Sequence, residues 1–304
     1  MRSKNLVMNY VILDLEWNSS YSKKSKGFIS EIIEFGAVKF DESFNITGTF
    51  SMLVSPQVGK KLSGKVKELT NISNEELAAG GNTYTHVISR FKRFLSSGDI
   101  LMTWGTCDIL AIMENNEYYS KHDDIDFIGR YVDIQRYCAE MLGMYNAGQQ
   151  LGLVPAARQV GIDLTDVVRH RALQDSMMSM DILAKLYDKH KFETFIETGS
   201  ELHYRLTFKP YYLTDPNHPL VNKSEFNFLC DKCGSPMTVK KGWIVRNRGF
   251  IAALYCENCS RTMTGKVKFK INYNGMSIKK RLVPCEESEE NKETNDSGEE
   301  QSVS

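Results

Sequence analysis

Two acidic residues stand inside a stretch that otherwise has the composition of a buried strand. The sequence YVILDLEW covers residues 10 to 17 and carries Asp14 and Glu16 among large apolar side chains. Because side chains alternate along a strand, both acids are predicted to project from one face. Burying unpaired carboxylates costs on the order of several kcal/mol, and the stretch contains no Lys or Arg. A divalent cation such as Mg²⁺ or Mn²⁺ would compensate them, whereas a half-exposed strand is the simpler alternative.

The order of strands and helices around this stretch predicts an α/β fold. Strand-like segments occur at residues 10–17, 31–40, 46–56, 99–105 and 126–134. Helical segments are predicted at SNEEL (73–77), THVISRFKRFL (85–95), 108–118, 133–143, 149–160 and about 171–190. Three consecutive strands followed by alternating helices and strands indicate a mixed five-stranded sheet flanked by helices.

Further polar residues are candidates for the same site. Asp108 follows the fourth predicted strand in TWGTCD, and HRALQD places His170 and Asp175 where a long helix begins. Each has a simpler interpretation: Asp108 is suited to capping a helix, His170 to a polar helix start and Asp175 to a solvated helical face. Glu34, in the second strand, is interpreted as structural and is expected to pair with a neighbouring helix.

The order of these elements resembles the DEDDh family of 3′-to-5′ exonucleases, which have a ribonuclease-H-like fold. The resemblance covers roughly residues 8 to 190 and rests on LDLEWN, EIIEFGAVKF, WGTCD and HRALQD, with LTNIS and GQQLGLVPAARQVGID pointing to the Eri/KapD-like branch. It implies that Asp14, Glu16, Asp108 and Asp175 bind two Mg²⁺ or Mn²⁺ ions. It also implies that His170, five residues before Asp175, is the general base.

The resemblance further implies a substrate. The expected reaction releases nucleoside 5′-monophosphates from single-stranded RNA or DNA with a free 3′ end, with RNA favoured. Leu15, Trp17 and Trp104 are expected to hold the terminal nucleotide, with an indole stacking on a base. For both tryptophans, packing in the core is the simpler explanation.

Four of the seven cysteines form two C-x-x-C pairs. The pairs are Cys230 with Cys233 and Cys256 with Cys259, and 22 residues lie between the two pairs. In a chain without an export signal, this spacing favours one structural Zn²⁺ over disulfides, and an iron–sulfur cluster or a redox pair is the alternative. Short strands around the pairs, with a hairpin signal at Asn274-Gly275, predict a small β-rich zinc ribbon.

The net charge of zero conceals an uneven distribution. Residues 226–285 hold twelve Lys or Arg against two acids, whereas residues 286–304 hold eight acids against one Lys. The basic residues, with Trp243, Phe250 and Tyr273 interleaved, are typical of a surface that binds phosphates and stacks bases. They are Lys240, Lys241, Arg246, Arg248, Lys266, Lys268, Lys270, Lys279, Lys280 and Arg281. A solvated basic surface is the alternative.

These patterns divide the chain into four segments. They are an exonuclease domain (1–192), a linker or packing arm (193–225), the basic zinc ribbon (226–285) and a disordered acidic tail (286–304). No stretch of 18 apolar residues occurs, so a cytoplasmic protein that does not contact a membrane is expected. The rival functions are a non-catalytic nucleic-acid-binding or regulatory protein that retains the exonuclease fold, and an adaptor that docks a protein partner.

Overall fold

The computed structural model describes residues 9–144, 150–164 and 171–285. The chain divides into two compact units, Met1–Leu206 and Thr207–Ser304. They are called the first and the second unit below.

A six-stranded mixed sheet forms the centre of the first unit. Its strands are β1 (Tyr10–Ser22), β2 (Gly27–Phe40), β3 (Ile46–Leu53), β4 (Ile100–Thr103), β5 (Arg130–Asp133) and β6 (Glu197–Thr198). They lie in the order β3-β2-β1-β4-β5-β6. The first three strands are antiparallel, β4 and β5 extend the sheet in parallel, and β6 closes the edge antiparallel. The mixed sheet is confirmed, with one strand more than the five predicted, because a two-residue strand shows no alternation in sequence.

Helices cover this sheet. They are α1 (Gly64–Thr70), α2 (Asn74–Gly80), α3 (Tyr84–Phe94), α4 (Cys107–Ser120), α5 (Ile134–Met141), α6 (Leu153–Gln159), α7 (Ala172–Leu186), α8 (Lys189–Glu193) and α9 (Gly199–Thr207). Ser73 begins α2 by accepting the Glu76 N–H at 2.9 Å, as capping-box spacing predicts. Across the described ranges, no helix combines the length and the apolar composition needed to cross a membrane.

Each face of the sheet packs against its own hydrophobic cluster. In β1, Val11, Leu13 and Leu15 belong to the cluster that includes residues of α3 and α4. Ile12 belongs to the cluster on the other face, formed with α5, α6 and α7. The alternation within β1 is therefore the predicted one, and it sets the direction in which the strand's acids project.

The segment 193–225, predicted as a linker or packing arm, contains short regular elements. Residues 197–207 form β6 and α9, and Leu202 is fully buried in the core of the first unit. Residues 211–213 form a strand in the sheet of the second unit. These elements are so short that only their tertiary packing, and no local periodicity, specifies them.

The second unit is a twisted antiparallel sheet with its own core. Its strands are β7 (Tyr211–Leu213), β8 (Thr238–Val239), β9 (Ile244–Arg246), β10 (Gly249–Cys256), β11 (Arg261–Asn272) and β12 (Gly275–Pro284). They follow the order β12-β11-β10-β8, with β7 on β11 and β9 on β10. One face of β10 and β11 buries Phe250, Leu254, Val267 and Phe269. The predicted hairpin joins β11 to β12, with Gly275 at a φ of 116°.

Candidate active site

Three carboxylates from two elements meet on one face of the first sheet. Asp14 and Glu16 project from β1, and Asp175 lies in the first turn of α7. One oxygen atom of each lies within 4.8 Å of the others, and all three side chains are partly buried. The sequence separates Asp175 from the strand acids by most of the first unit, so the fold alone brings them together.

A glycine in β2 lets α7 approach the acid-bearing strand. Gly36 lies opposite Asp14 in the β1–β2 ladder. A Cβ atom at position 36 would stand 2.0 Å from the amide nitrogen of Leu173, so only glycine fits against the helix backbone. Ser176 donates a hydrogen bond of 2.8 Å to the Gly36 carbonyl. The first turn of α7 is thereby held against β2, which places Asp175 beside the strand acids.

Glu34 fixes the beginning of α7 from the neighbouring strand. Its carboxylate accepts the Ala172 N–H at 3.1 Å and Arg171 Nη2 at 2.7 Å. Arg171 also donates to Glu76 of α2 at 3.1 Å. The residue at the N-cap of α7 makes no side-chain cap, and a negative charge near a helix N-terminus is stabilising. Glu34 thus takes the structural role predicted for it.

Asp108 reaches the same strand from α4. It is 4% exposed, and its Oδ1 accepts the Leu15 N–H at 3.0 Å. The parallel β1–β4 ladder ends at Ile12 and Met102, so the carboxylate satisfies an amide that has no strand partner on that side. The N-cap of α4 is Thr106, which excludes the helix-cap interpretation of Asp108. Within the described residues, Asp108 lies next to the group of three oxygens but is not a member of it.

Burial and crowding raise the carboxyl pKa values at this site. Burial raises the pKa of Asp14 well above its usual range, and the charges of Asp108, Asp175 and Glu16 raise it further. Burial raises the pKa of Glu16 to about 8, with Asp175 as the next cause and Arg171 opposing it. Burial also raises the pKa of Asp108 to about 7, against the backbone N–H groups it accepts. These acids carry their full negative charge at neutral pH only when a cation compensates them.

The donor set fits a hard divalent cation. Carboxylate oxygens are the ligands that Mg²⁺ and Mn²⁺ prefer. In the described ranges, neither Asp14 nor Glu16 forms a salt bridge with a Lys, Arg or His side chain. The cluster is therefore a candidate metal centre.

The predicted general base, His170, lies outside the described residues. It directly precedes Arg171 in the sequence, and Arg171 is anchored on Glu34.

The three residues predicted to hold a nucleotide are engaged inside the first unit. Leu15 is 3% exposed, and its N–H is bound by Asp108. Trp17 packs against the first hydrophobic cluster. Trp104 packs against the second, and its Nε1 donates to the Leu151 carbonyl at 2.9 Å. Both tryptophans are packed against the core on one side and remain partly exposed. Contact of these three residues with a nucleotide stays a prediction.

A second candidate metal centre lies in the second unit. The sulfur atoms of Cys230, Cys233, Cys256 and Cys259 lie within 4.8 Å of one another. The residue after each C-x-x-C pair, Gly234 or Ser260, has a left-handed backbone, with φ of 73° and 48°. Backbone N–H groups lower the pKa of the Cys230 thiol, and hydrogen bonds from Ser235 lower that of Cys233 to about 6. Burial raises the pKa of Cys256, and the Cys233 side chain raises that of Cys259 to about 12. Four converging cysteine sulfurs are a donor set that zinc takes, so the geometry of the cluster fits a zinc site.

Comparison with known families agrees with the carboxylate site. The RNase T family model, described as Exonuclease, matches residues 11–183. The matched region is more than half of the chain and contains all four candidate carboxylates. The chain belongs to the RNase T exonuclease family. This exonuclease is similar to KapD of Bacillus subtilis (strain 168), a probable 3′-5′ exonuclease, with 26% identity over 190 residues that cover 60% of this chain and 85% of KapD.

Solved structures share the fold of the exonuclease. The nuclease domain of 3′hExo, a DEDDh family member bound to rAMP, is 20% identical with a TM-score of 0.50, over 60% of this chain and 92% of that one. A 3′-exonuclease described in 3′-end specific recognition of a histone mRNA stem-loop is 21% identical with a TM-score of 0.50, over 58% of this chain and 80% of that one. A full-length 3′-exonuclease gives 20% identity and the same TM-score of 0.50, and the match covers 58% of this chain and 59% of that one. These likenesses establish the ribonuclease-H-like fold of the first unit.

Of the residues that place α7, Glu34 was predicted to pair with a helix, but no signal identified Arg171 as its partner, since 137 residues separate the two. Gly36 was missed, although a glycine inside an apolar strand marks the close approach of another backbone.

Proposed function

We propose that the protein is a metal-dependent 3′-to-5′ exonuclease that hydrolyses single-stranded nucleic acid to nucleoside 5′-monophosphates. The observation that carries the proposal is the convergence of Asp14, Glu16 and Asp175 oxygens within 4.8 Å, in a chain of an exonuclease family. RNA is favoured over DNA because the sequence elements around the site resemble those of the Eri/KapD-like branch.

In this proposal the carboxylates hold two Mg²⁺ or Mn²⁺ ions. Asp14, Glu16 and Asp175 supply the oxygens that converge, and Asp108 stands beside them. When bound, two such ions activate a water and stabilise the charge on the leaving 3′ oxygen. The surrounding residues position these carboxylates. Glu34 and Gly36 hold α7 in place, and Asp108 accepts the Leu15 N–H of β1.

We assign the role of general base to His170. A histidine titrates near neutral pH, so an imidazole at this position accepts a proton from the attacking water at working pH. The support is its place in the sequence, directly before the anchored Arg171 and five residues before Asp175.

We also propose one structural Zn²⁺ at the four cysteines. The short sulfur-to-sulfur distances support it, at 3.9 Å between Cys230 and Cys259 and 3.5 Å between Cys233 and Cys256. Such a site contributes directly to folding energy in a small β unit.

The test uses single-stranded RNA and DNA labelled at either end, with Mg²⁺ or Mn²⁺. The wild type is expected to release the label of a 3′-labelled strand first as a mononucleotide, and to shorten a 5′-labelled strand progressively. His170→Ala is expected to lower the rate by about 10²- to 10⁴-fold, and Asp175→Asn by roughly a hundredfold or more. Asp181→Asn is the matched control, because Asp181 is an exposed carboxylate on the same helix.

Three results would contradict this function. They are release from the 5′ end, internal cleavage, and equal activity of Asp175→Asn and Asp181→Asn. Binding of the strands without any metal-dependent cleavage would instead support a non-catalytic nucleic-acid-binding protein.

A further inference from the structure

One face of the second sheet carries a dense set of cations. Lys266, Lys268 and Lys270 alternate along β11, and their direct partners on β12 are Arg281, Lys279 and Ser277. Residues directly opposite in an antiparallel ladder share a face. Five cations therefore project from two adjacent strands, while Val267 and Phe269 project into the core from the other face.

This arrangement opposes stability. Lys268 faces Lys279 and Lys266 faces Arg281, and like charges directly opposite each other destabilise a sheet. The sequences of β10, β11 and β12 contain no Asp or Glu, so Lys268 and Lys279 have no acid beside them on these strands. A sheet that served only to frame a zinc site would gain from acids at these positions, and their absence points to an anionic ligand.

An aromatic ring lies among these cations. Tyr212 of β7 pairs with Lys270, and its ring centroid lies 5.9 Å from Lys268 Nζ and 6.0 Å from Lys270 Nζ. Tyr212, the five cations and Ser277 line a groove of about 340 Å³. Every second residue of a strand advances by about 6.5 Å, which is close to the length of one extended nucleotide. Regularly spaced cations with an aromatic ring between them suit phosphates and stacked bases of a single strand.

We propose that this groove, called the lysine groove (Tyr212, Lys266, Lys268, Lys270, Lys279 and Arg281), binds single-stranded nucleic acid through residues of the second unit alone. The inference rests on the proposed function for the identity of the polymer, and its geometry is independent of that function. The groove takes phosphates on its ammonium and guanidinium groups and stacks a base on Tyr212.

The lysine groove contains part of the basic surface predicted from sequence. Its five cations, Lys266, Lys268, Lys270, Lys279 and Arg281, all belong to that predicted surface. Lys240 is engaged elsewhere, with its Nζ on Thr262 Oγ1 at 3.0 Å and over the Tyr255 ring at 4.6 Å. The other predicted contacts, Lys241, Arg246, Arg248 and Lys280, do not line the groove.

The test measures binding separately from cleavage. The full chain carrying Asp175→Asn is titrated, by fluorescence anisotropy, into 5′-labelled single-stranded RNA, single-stranded DNA and duplex DNA at several salt concentrations. Lys268→Gln with Lys279→Gln forms the groove variant. The matched control is Lys209→Gln with Lys232→Gln, since both lysines are exposed and lie in the second unit. These substitutions remove the same charge as those of the groove variant.

The groove variant is expected to bind single strands at least about fivefold more weakly, and the control is expected to bind as the parent does. Each phosphate contact on a single strand contributes about 0.7 to the slope of log K against log salt, so the groove variant should lose about 1.4 of that slope. Tyr212→Ala is expected to weaken binding several-fold with the slope retained, because stacking releases no counterions. The zinc content of each variant reports whether the second unit is folded. If the groove variant has lost zinc, Lys266→Gln with Arg281→Gln is used in its place.

Several outcomes would overturn the lysine groove. One is equal affinity and slope in the groove variant and the control. Another is binding of duplex DNA as tight as that of single strands, with no effect of Tyr212→Ala on affinity. That result would identify the face as a surface that binds duplex DNA. A third is binding by a chain ending at Cys285 but not by the full chain, which would assign the groove to the acidic segment 286–304.

Cleavage of a dinucleotide by chains with Asp175 intact separates this proposal from the proposed function. Retained dinucleotide cleavage with slower trimming of long strands in the groove variant supports the lysine groove. If the wild type cleaved no substrate but its binding of single strands still depended on the groove residues, the exonuclease mechanism would be refuted. The lysine groove would then be supported independently of that mechanism.

Discussion

Glu16 couples the stability of the first unit to protons and to metal. It lies partly buried beside Asp14 and Asp175, and burial raises its pKa to about 8. The unfolded chain has no such environment, so the folded, metal-free protein binds a proton more tightly than the unfolded chain does. The stability contributed by this proton is fully present below the usual carboxyl pKa and is lost as the pH rises through about 8.

Replacing Glu16 by Gln should therefore become more favourable as the pH rises. In buffer without added divalent cation, we expect the free energy of unfolding of Glu16→Gln, relative to wild type, to increase by about 3 kcal/mol between about pH 5.5 and 8.5. Urea denaturation of the two proteins at each pH measures this difference. A difference that is constant or shrinks with pH would contradict the raised pKa.

Metal binding at the carboxylates should show the reciprocal dependence. Because protons must leave Asp14 and Glu16 before the ion binds, the apparent affinity for Mg²⁺ or Mn²⁺ is expected to fall as the pH drops below about 8. Calorimetric titrations in two buffers of different ionisation enthalpy measure the protons released. The linkage would be refuted if metal binding at about pH 7 released no protons from the wild type and the result were the same for Glu16→Gln.

Among the elements, α7 is the one on whose placement the site depends. Its first turn is held by Glu34 and Gly36 of β2 and by the Ser176 hydrogen bond. The helix has no side-chain cap from its own N-cap residue. A shift of α7 relative to β2 therefore moves Asp175 away from the strand acids before it disturbs the rest of the fold.

Gly36→Ala should uncouple activity from stability. The added Cβ would stand 2.0 Å from the Leu173 nitrogen, which overpacks the helix against the strand at a cost of about 1 to 3 kcal/mol. A displacement of about 1 Å at a catalytic ligand costs roughly a hundredfold in rate. We expect a folded protein with roughly that loss of nuclease activity, measured by urea denaturation and by the trimming of labelled strands.

Gly48→Ala is the control for this prediction. On the adjoining strand, the nearest atom to an added Cβ at position 48 is a Phe94 side-chain carbon at 3.4 Å, which is ordinary contact. Its stability should stay within about 0.5 kcal/mol of wild type with activity retained. Equal activities of the two alanine variants would show that the approach of α7 to β2 does not set the site.

For the whole molecule, the two units have separate cores. The clusters of the first unit draw on residues up to Leu206, and the cluster of the second begins at Leu213 and surrounds the cysteines. The sheet of the second unit is small, and two of its strands, β8 and β9, have only two and three residues. A unit of this size commonly needs a metal to remain folded.

Loss of zinc should therefore unfold one unit only. We expect Cys256→Ser, in the full chain, to lose bound zinc and to become sensitive to protease after residue 206, while the first unit remains resistant and cleaves a dinucleotide at the wild-type rate. Mass spectrometry of the proteolytic fragments and zinc content measure this. Cys107→Ser is the control, because Cys107 is exposed and lies outside the cluster. Loss of the protease-resistant first unit in Cys256→Ser would contradict separate cores.

Local sequence patterns specify a large part of this protein. Alternation in YVILDLEW places Asp14 and Glu16 on one face, and the C-x-x-C spacing groups four cysteines that do converge. Both signals depend on neighbours within a few residues, which a sequence displays directly. Strands as short as β6 and β7 cannot be predicted in this way, because two or three residues are too few to show the alternation of a strand.

The sequence by itself placed two acids on one face of an apolar strand, and its resemblance to the DEDDh family implied that they bind metal. Only the tertiary structure decided how the site is assembled. Asp175 meets Asp14 because Gly36 leaves room for α7 and Glu34 holds its first turn, and Asp108 serves the Leu15 amide because the β4 ladder ends early. The lysine groove likewise depends on the register of β11, β12 and β7. Register and helix approach are set by contacts between residues far apart in the chain, and no local pattern contains them.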